Sequence, residues 1–512
     1  MAVQRVTGVK HSVMRGAGWT LAANGGDRLL GIVSVSILAR LLTPQDFGLV
    51  SMGFAAAAAV DCLGAFGFDW ALVRQPNLTA LHLNTAWTLR IIVNVISALA
   101  LALLAAPAAA YFHEERLYEV MFVLAACKLL AGFENIGMVL YRRELRFDKE
   151  FQLLLLARLA NLAVVLPIAY FQRSYFALLA GLVTSRVVSL VTSYGLHPYR
   201  PRLSLAAHRD LLLFSVWLQL NGLLLTIRDR VSDLIVGRTV GVHGVALFSM
   251  ANEVAHLAVT ELAAPINRAV FSGYAKFAGD ADRMRHAYLR VAGVIWLLCL
   301  PIAVGIACTA PQIVLLFLGP NWSEAAPVLR ILAIGGLAGV VTANSHLVFL
   351  TMGRPVINTL ISLVCVLLLV PCVVVLSKLD GVRGAALGYA IAVGATVPIV
   401  FWRLWRETGL SPLRVLASGW RPALGVIVMV AVVLTVGGAE ASNTFLANAL
   451  ELAKLAGIGG ATFVSTVYLA WKFSGKPAGP ETEIYELAES ILGIARGTGP
   501  PRTEPTESIT DR

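Results

Sequence analysis

Charge is scarce in this sequence. Of 512 residues, 14% are Asp, Glu, Lys or Arg and 58% are hydrophobic, against roughly a quarter and a half in an ordinary soluble domain. Mean hydropathy is +0.76. A freely soluble fold is excluded, because one core cannot bury so much apolar surface. Cysteine is sparse as well. Cys62, Cys127, Cys299, Cys308, Cys365 and Cys372 all fall inside apolar runs, without a second Cys or a His at ligand spacing. Neither a disulfide framework nor a metal centre is expected, and these thiols read as buried and inert. A phosphate-binding loop is missing too: Gly475-Lys476 is followed by Pro477 and lacks the upstream glycine, so ATP hydrolysis through that motif is excluded. The net charge of +11 would suit nucleic acid if it were clustered, but the basic residues are spread over short loops, which is the pattern of a bilayer orientation signal.

What is present is a long series of apolar runs. Crossing a bilayer takes about 20 residues at 1.5 Å rise each, and runs of that order are expected as helices at 18–41, 47–67, 86–110, 118–140, 152–171, 175–196, 211–230, 243–264, 290–310, 325–350, 356–376, 384–402, 420–438 and 448–471. The fold class is therefore an all-α integral membrane protein of about fourteen spans. Asn24, Asp27 and Arg28 interrupt the first run and no small-residue cleavage site follows, so it reads as a retained span and not as a signal peptide. One set of alternate loops holds Arg142, Arg143, Arg146, Lys149, Arg200, Arg202, Arg403, Arg406 and Arg414. The other set is nearly bare, with Arg116, Arg173 and Lys378 among its few cations. The basic set, and with it both termini, is expected to be cytoplasmic.

The stretch LARLLTPQDFGLVSM, Leu38 to Met52, places a Thr-Pro-Gln-Asp turn between the first two spans, where Pro and Asp end one helix and start the next. A worn copy, VGRTVGVHGVALFSM, spans Val236 to Met250. An offset of about 198 residues pairs Trp19 with Trp217, Ser34 with Ser232, Arg40 with Arg238, Ser51 with Ser249 and Met52 with Met250. Ala106-Pro107 is echoed by Ala310-Pro311. Two parallel copies of a six-helix lobe are expected, with a substrate site at their interface. The divisions are a cytoplasmic N-terminus at 1–17, a first lobe at 18–196, an inter-lobe loop at 197–210, a second lobe at 211–402, a loop at 403–419, two added spans at 420–471 and a cytoplasmic tail at 472–512.

The turn segment, GFDWALVRQPNLTALHLNTAW (Gly67 to Trp87), YRRELRFDKEF (Tyr141 to Phe151), LFLGPNWSEAAPVLRILA and LTMGRPVIN together resemble the bacterial polysaccharide flippases. These are the Wzx-type members of the multidrug/oligosaccharidyl-lipid/polysaccharide superfamily. The resemblance runs over roughly residues 10–470. It implies an inner-membrane protein of two six-helix lobes that moves undecaprenyl-diphosphate-linked oligosaccharide to the periplasmic leaflet for exopolysaccharide, capsule or O-antigen assembly. A polysaccharide polymerase and chain-length machinery are the implied protein partners. That family has no invariant catalytic motif, so it lends a role and no site.

Candidate residues come from ionisable groups inside the spans, each costing about 2.5 to 3.5 kcal/mol at a helix centre unless it faces a cavity or a partner. Arg28, Lys128, Arg158 and Arg186 are the candidate cavity cations for a lipid diphosphate. Asn24, Gln219, Asn221, Asn252 and Thr260 are candidates for sugar hydroxyls, and Asp27, Asp61 and Glu253 for coupling to a proton or Na+ gradient. Against these stand plainer readings: Arg90 and Arg158 can snorkel to headgroups, Asp27 and Arg28 can pair to fix packing, and the Arg142 to Lys149 loop is accounted for by orientation and anionic lipid. No catalytic residue, metal or cofactor is expected. A multidrug exporter of the same superfamily is the alternative, which would favour carboxylates over arginines in its cavity. A membrane polymerase or ligase would need a large outer loop, and none is expected.

Overall fold

The computed structural model describes residues 26, 30–64, 68–75, 77–144, 146–208, 226–277, 280–437, 445–477 and 479–482. In chain order its helices are α1 (Leu30–Leu41), α2 (Pro44–Gly64), α3 (Phe68–Arg74), α4 (Ala80–Phe112), α5 (Leu117–Gly132), α6 (Met138–Arg143), α7 (Phe147–Gln172), α8 (Phe176–Leu196), α9 (226–239), α10 (Val242–Lys276), α11 (Ala281–Cys308), α12 (Ala310–Phe317), α13 (Ala325–Thr351), α14 (Pro355–Thr408), α15 (Pro412–Ala417), α16 (Trp420–Val436) and α17 (Phe445–Phe473). The described residues contain no strand. Among the described residues seven helices are long and apolar enough to cross a membrane, and α1 and α16 are shorter apolar helices.

The expected turn is built from its own side chains. Thr43 caps α2: its backbone N–H donates to Asp46 Oδ2 at 2.9 Å, and the Asp46 N–H donates to Thr43 Oγ1 at 3.4 Å, a reciprocal capping box. Pro44 fills the first helical position, where its missing N–H costs nothing. Asp46 Oδ1 also accepts the Tyr175 N–H at 3.0 Å, which ties the turn to the start of α8. In the worn copy these residues are gone, and α10 is instead preceded by Gly241 at φ +90°.

Two expected spans behave differently from simple rods. Residues 356–376 and 384–402 form the halves of α14, folded back at Asp380-Gly381, where Gly381 takes φ +54°. The halves meet closely because Gly384 and Gly388 present no side chain to the backbone of Leu376 and Cys372. The run 118–140, expected as one span, ends early: α5 stops at Gly132, an irregular stretch follows, and α6 resumes at Met138. Hydropathy could not register this break, because Phe133 and Ile136 keep the stretch apolar while the backbone leaves the helix.

Helices α2, α4, α5, α7 and α8 pack as one group and α10 to α14 as a second, with α2 also lying against α10; α9 is tied to α10 by the Ser249 Oγ–Asp233 hydrogen bond, and α16 and α17 lie together against α11 and α12. At the end carrying the Thr43 turn, one core joins both groups: Leu42, Phe47, Leu49 and Met52 with Leu247, Phe248, Trp322 and Leu329. At the opposite, basic end each group has its own core, Phe68, Leu72, Leu83 and Ile136 in the first and Tyr274, Tyr288, Phe349 and Phe401 in the second. Beyond α17, Glu481 pairs with Arg421 at 2.8 Å and Pro480 rests against Gly293.

Candidate functional site

Among the described residues the first group gathers its charges where α5 breaks. Glu134 lies two residues past the end of α5. Its Oε2 accepts from Arg90 Nη2 of α4 at 2.8 Å, and its Oε1 lies 3.8 Å from Arg186 Nη1 of α8. One carboxylate thus bridges guanidinium groups from two helices. The Glu134 side chain is 17% exposed and that of Arg186 is 51% exposed. Arg186 is ten residues from either end of α8, about 15 Å of helix each way. A guanidinium left bare in hydrocarbon at that position would be costly.

The break is held from its flanks. The Asn135 N–H donates to Ser193 Oγ at 3.0 Å, Asn135 Nδ2 donates to the carbonyls of His197 and Tyr199, and Tyr194 Oη donates to the Phe133 carbonyl. These bonds replace helical partners that the backbone would otherwise lack inside the membrane. His197 accepts the Tyr199 N–H on Nδ1 at 3.1 Å, and burial lowers its pKa below the usual value, which keeps that nitrogen free to accept.

The remaining expected cations are placed separately. Lys128 is half-buried on α5. Arg158 lies against α1, where Gly31 leaves room for its guanidinium: a Cβ there would sit 2.8 Å from Nη2. Asn24, Asp27, Arg28, Gln219 and Asn221 lie outside the described residues, as do the side chains of Asp61 and Thr260. Asn252 has a buried Oδ1 without a hydrogen bond, and Glu253 is exposed on α10.

The second group encloses a cavity of about 370 Å³ lined by Arg228, His256, Asn267, Thr342, His346 and Tyr389, among others. Arg228 Nε donates to Asp229 at 3.0 Å. His256 Nε2 lies 3.5 Å from Tyr389 Oη. His346 Nε2 and Asn267 Oδ1 are buried without a hydrogen bond. Sequence reasoning passed over Asn267 and His346. The sequence offers little to single them out among other polar residues within the helices, because it is the packing of α10 against α13 and α14 that turns them into one cavity.

The turn end is sealed by contacts that follow the internal repeat. Arg40 Nη2 donates to the Leu316 carbonyl at 2.7 Å and lies 3.5 Å from that of Leu315. Its repeat partner Arg238 contacts His113 Nδ1 at 2.9 Å and covers the Tyr111 ring at 5.7 Å. Counted from the two Ala-Pro pairs, Tyr111 corresponds to Leu315 and His113 to Phe317. Each arginine therefore reaches from its own group to the equivalent segment of the other. Ser36 Oγ donates to the Phe317 carbonyl at 2.7 Å, and Trp322 Nε1 to that of Ala39 at 2.9 Å.

The family described as Polysaccharide biosynthesis protein matches residues 37–327. Lipopolysaccharide biosynthesis protein WzxC of Escherichia coli (strain K12) is 24% identical over 419 residues, 81% of this chain and 85% of that protein. Succinoglycan biosynthesis transport protein ExoT of Rhizobium meliloti (strain 1021) is 25% identical over 339 residues, 65% and 68% of the two chains. In fold, the chain is similar to lipid II flippase MurJ in its inward closed conformation, with a TM-score of 0.70 at 10% identity over 89% of this chain and 98% of that one. It is also similar to an inward-facing multidrug resistance MATE family transporter, with a TM-score of 0.59 at 16% identity over 75% and 94%.

Proposed function

The chain belongs to the polysaccharide biosynthesis protein family and is a transporter of its flippase type, and we propose that its cargo is an undecaprenyl-diphosphate-linked oligosaccharide repeat unit. Transport runs from the cytoplasmic to the periplasmic leaflet of the bacterial inner membrane, for exopolysaccharide, capsule or O-antigen synthesis. The basic end is the cytoplasmic one in this reading, and it carries both termini. The observation that carries the proposal is the pair of guanidinium groups, Arg90 and Arg186, held at membrane depth by Glu134. A lipid diphosphate takes about two negative charges into a poorly solvating region, and planar, charge-assisted donors lower that cost. The polar cavity among α9, α10, α13 and α14 supplies donors and acceptors for the sugars.

The distribution of the cores supports alternating access. One core joins the two groups at the turn end, and separate cores serve the basic end, which is the arrangement of a carrier open toward the cytoplasm. Loading then requires no outer opening, and release requires the Arg40 and Arg238 contacts to part. The multidrug alternative is disfavoured by a cluster in which two arginines outnumber one carboxylate. The test is export in cells carrying Arg90→Gln or Arg186→Gln, normalised to inserted protein. Loss of surface polysaccharide with accumulation of lipid-linked repeat unit is expected. Normal export from both variants at normal abundance would remove the assignment.

A further inference from the structure

The cation cluster is not presented empty. Each Glu134 oxygen is directed to a different guanidinium, Oε2 to Arg90 at 2.8 Å and Oε1 to Arg186 at 3.8 Å. Those are the groups that a diphosphate would grip, one phosphate to each. The carboxylate is anchored on irregular backbone whose hydrogen bonds go to Tyr194 and Ser193 of α8. A carboxylate on a full α-helix would be fixed relative to one neighbour. This one sits at a helix end, where a change in two or three backbone angles swings the side chain without breaking a helical ladder.

We propose that Glu134 is a resident anion that stands in for the substrate diphosphate: it holds Arg90 and Arg186 while the carrier is empty and is displaced when the lipid diphosphate binds. The inference rests on the preceding assignment of these arginines to the diphosphate. Its physical basis is that a carrier crosses its cycle twice, once loaded and once empty. Loaded, the guanidinium groups are neutralised by the phosphates. Empty, they would be two uncompensated cations at membrane depth, which is strongly unfavourable. A carboxylate within reach removes that penalty on the return step, at the expense of affinity on the loading step. Glu134 is thus a positioning residue that trades binding strength for turnover.

The test uses the full chain in nanodiscs, with farnesyl diphosphate as the lipid-diphosphate probe and farnesyl monophosphate as control. If Glu134 occupies the guanidinium groups nine-tenths of the time, removing its charge raises apparent affinity about tenfold. Glu134→Gln should therefore bind farnesyl diphosphate about tenfold more tightly, with little change for the monophosphate. In reconstituted vesicles the same variant should show a lower KM and a lower kcat. Glu134→Asp keeps the charge on a shorter arm, so it should relax the 3.8 Å contact first and give a smaller rise in affinity with turnover retained.

A bracing role predicts otherwise. If Glu134 merely pins α4 to α8, Glu134→Gln lowers folded protein, and neither it nor Glu134→Asp binds the probe more tightly. That result overturns the proposal. Failure of the underlying assignment is distinguishable, because Arg186→Gln and Arg90→Gln would then leave wild-type binding of farnesyl diphosphate unchanged. Loss of binding in the arginine variants without tightening in Glu134→Gln would sink the stand-in role alone.

Discussion

Removing the reciprocal arginine contacts should open the turn end by a calculable amount. Arg40→Ala deletes a charge-assisted bond to the Leu316 carbonyl and a cation–π contact with Phe445 at 5.0 Å. Arg238→Ala deletes the bond to His113 and the cover over Tyr111. Both side chains are exposed, so solvent screening reduces each set to about 1 kcal/mol. About 1 kcal/mol is a fivefold shift in a two-state equilibrium, and about 2 kcal/mol approaches thirtyfold. The two sites share no partner, so their effects should add. Spin labels at Gln45 and Ser323, both exposed at this end on different groups, report the opening as a second, longer distance population. Each single variant should raise that population about fivefold, and the double variant by about the product. The reasoning is refuted if the singles have no effect, or if the double variant equals one single, since the contacts would then not be independent halves of one closure.

Other consequences are as direct. Trp322→Phe keeps the buried ring beside Phe47 but removes the donor to Ala39, and should weaken the same closure by about 1 to 2 kcal/mol, visible in the spin-label populations. Asp46→Ala removes both the α2 cap and the tie to Tyr175, and a melting curve should show about 2 kcal/mol or more of lost stability. His197 has a lowered pKa in the fold, so the unfolded chain binds more protons below about pH 6.5 and stability must fall as pH drops through that value. The fall should be smaller in His197→Asn, whose amide oxygen can still accept the Tyr199 N–H. If Glu253 couples transport to an ion gradient, flipping in vesicles should respond to an imposed proton or Na+ gradient in wild type and not in Glu253→Gln, and indifference of wild type to both gradients would remove that role.

Several of these features were legible in the sequence for identifiable reasons. The Thr43 to Asp46 turn could be read because its capping residues are local, and Pro44 marks the helix start regardless of tertiary contacts. The repeat was visible in Arg40 and Arg238, although their reciprocal reach across the two groups was not, since it depends on how the groups close. Arg186 was picked out as a mid-span cation. Its partner Glu134 could not be joined to it from sequence, because the α5 break that brings them together is written in Asn135, Ser193 and Tyr194, residues without hydropathic signature. Arg158 was grouped with Arg186 by composition alone, and the fold sends it toward Gly31 instead. The second-group cavity was not legible because its polar lining comes from four helices, and only their packing brings Arg228, His256, Asn267 and His346 together.

The central claim is that this chain carries a lipid diphosphate through the membrane on the Arg90 and Arg186 pair. Vesicles reconstituted with the purified protein and an undecaprenyl-diphosphate oligosaccharide bearing a fluorescent sugar test it most directly. An impermeant quencher reports the label in the outer leaflet. With wild-type protein, quenching should proceed beyond the outer-leaflet fraction to near completion, and with Arg90→Gln/Arg186→Gln it should stop at about half, as in protein-free vesicles. Equal quenching by wild type and the double variant, both folded and inserted, would contradict the account.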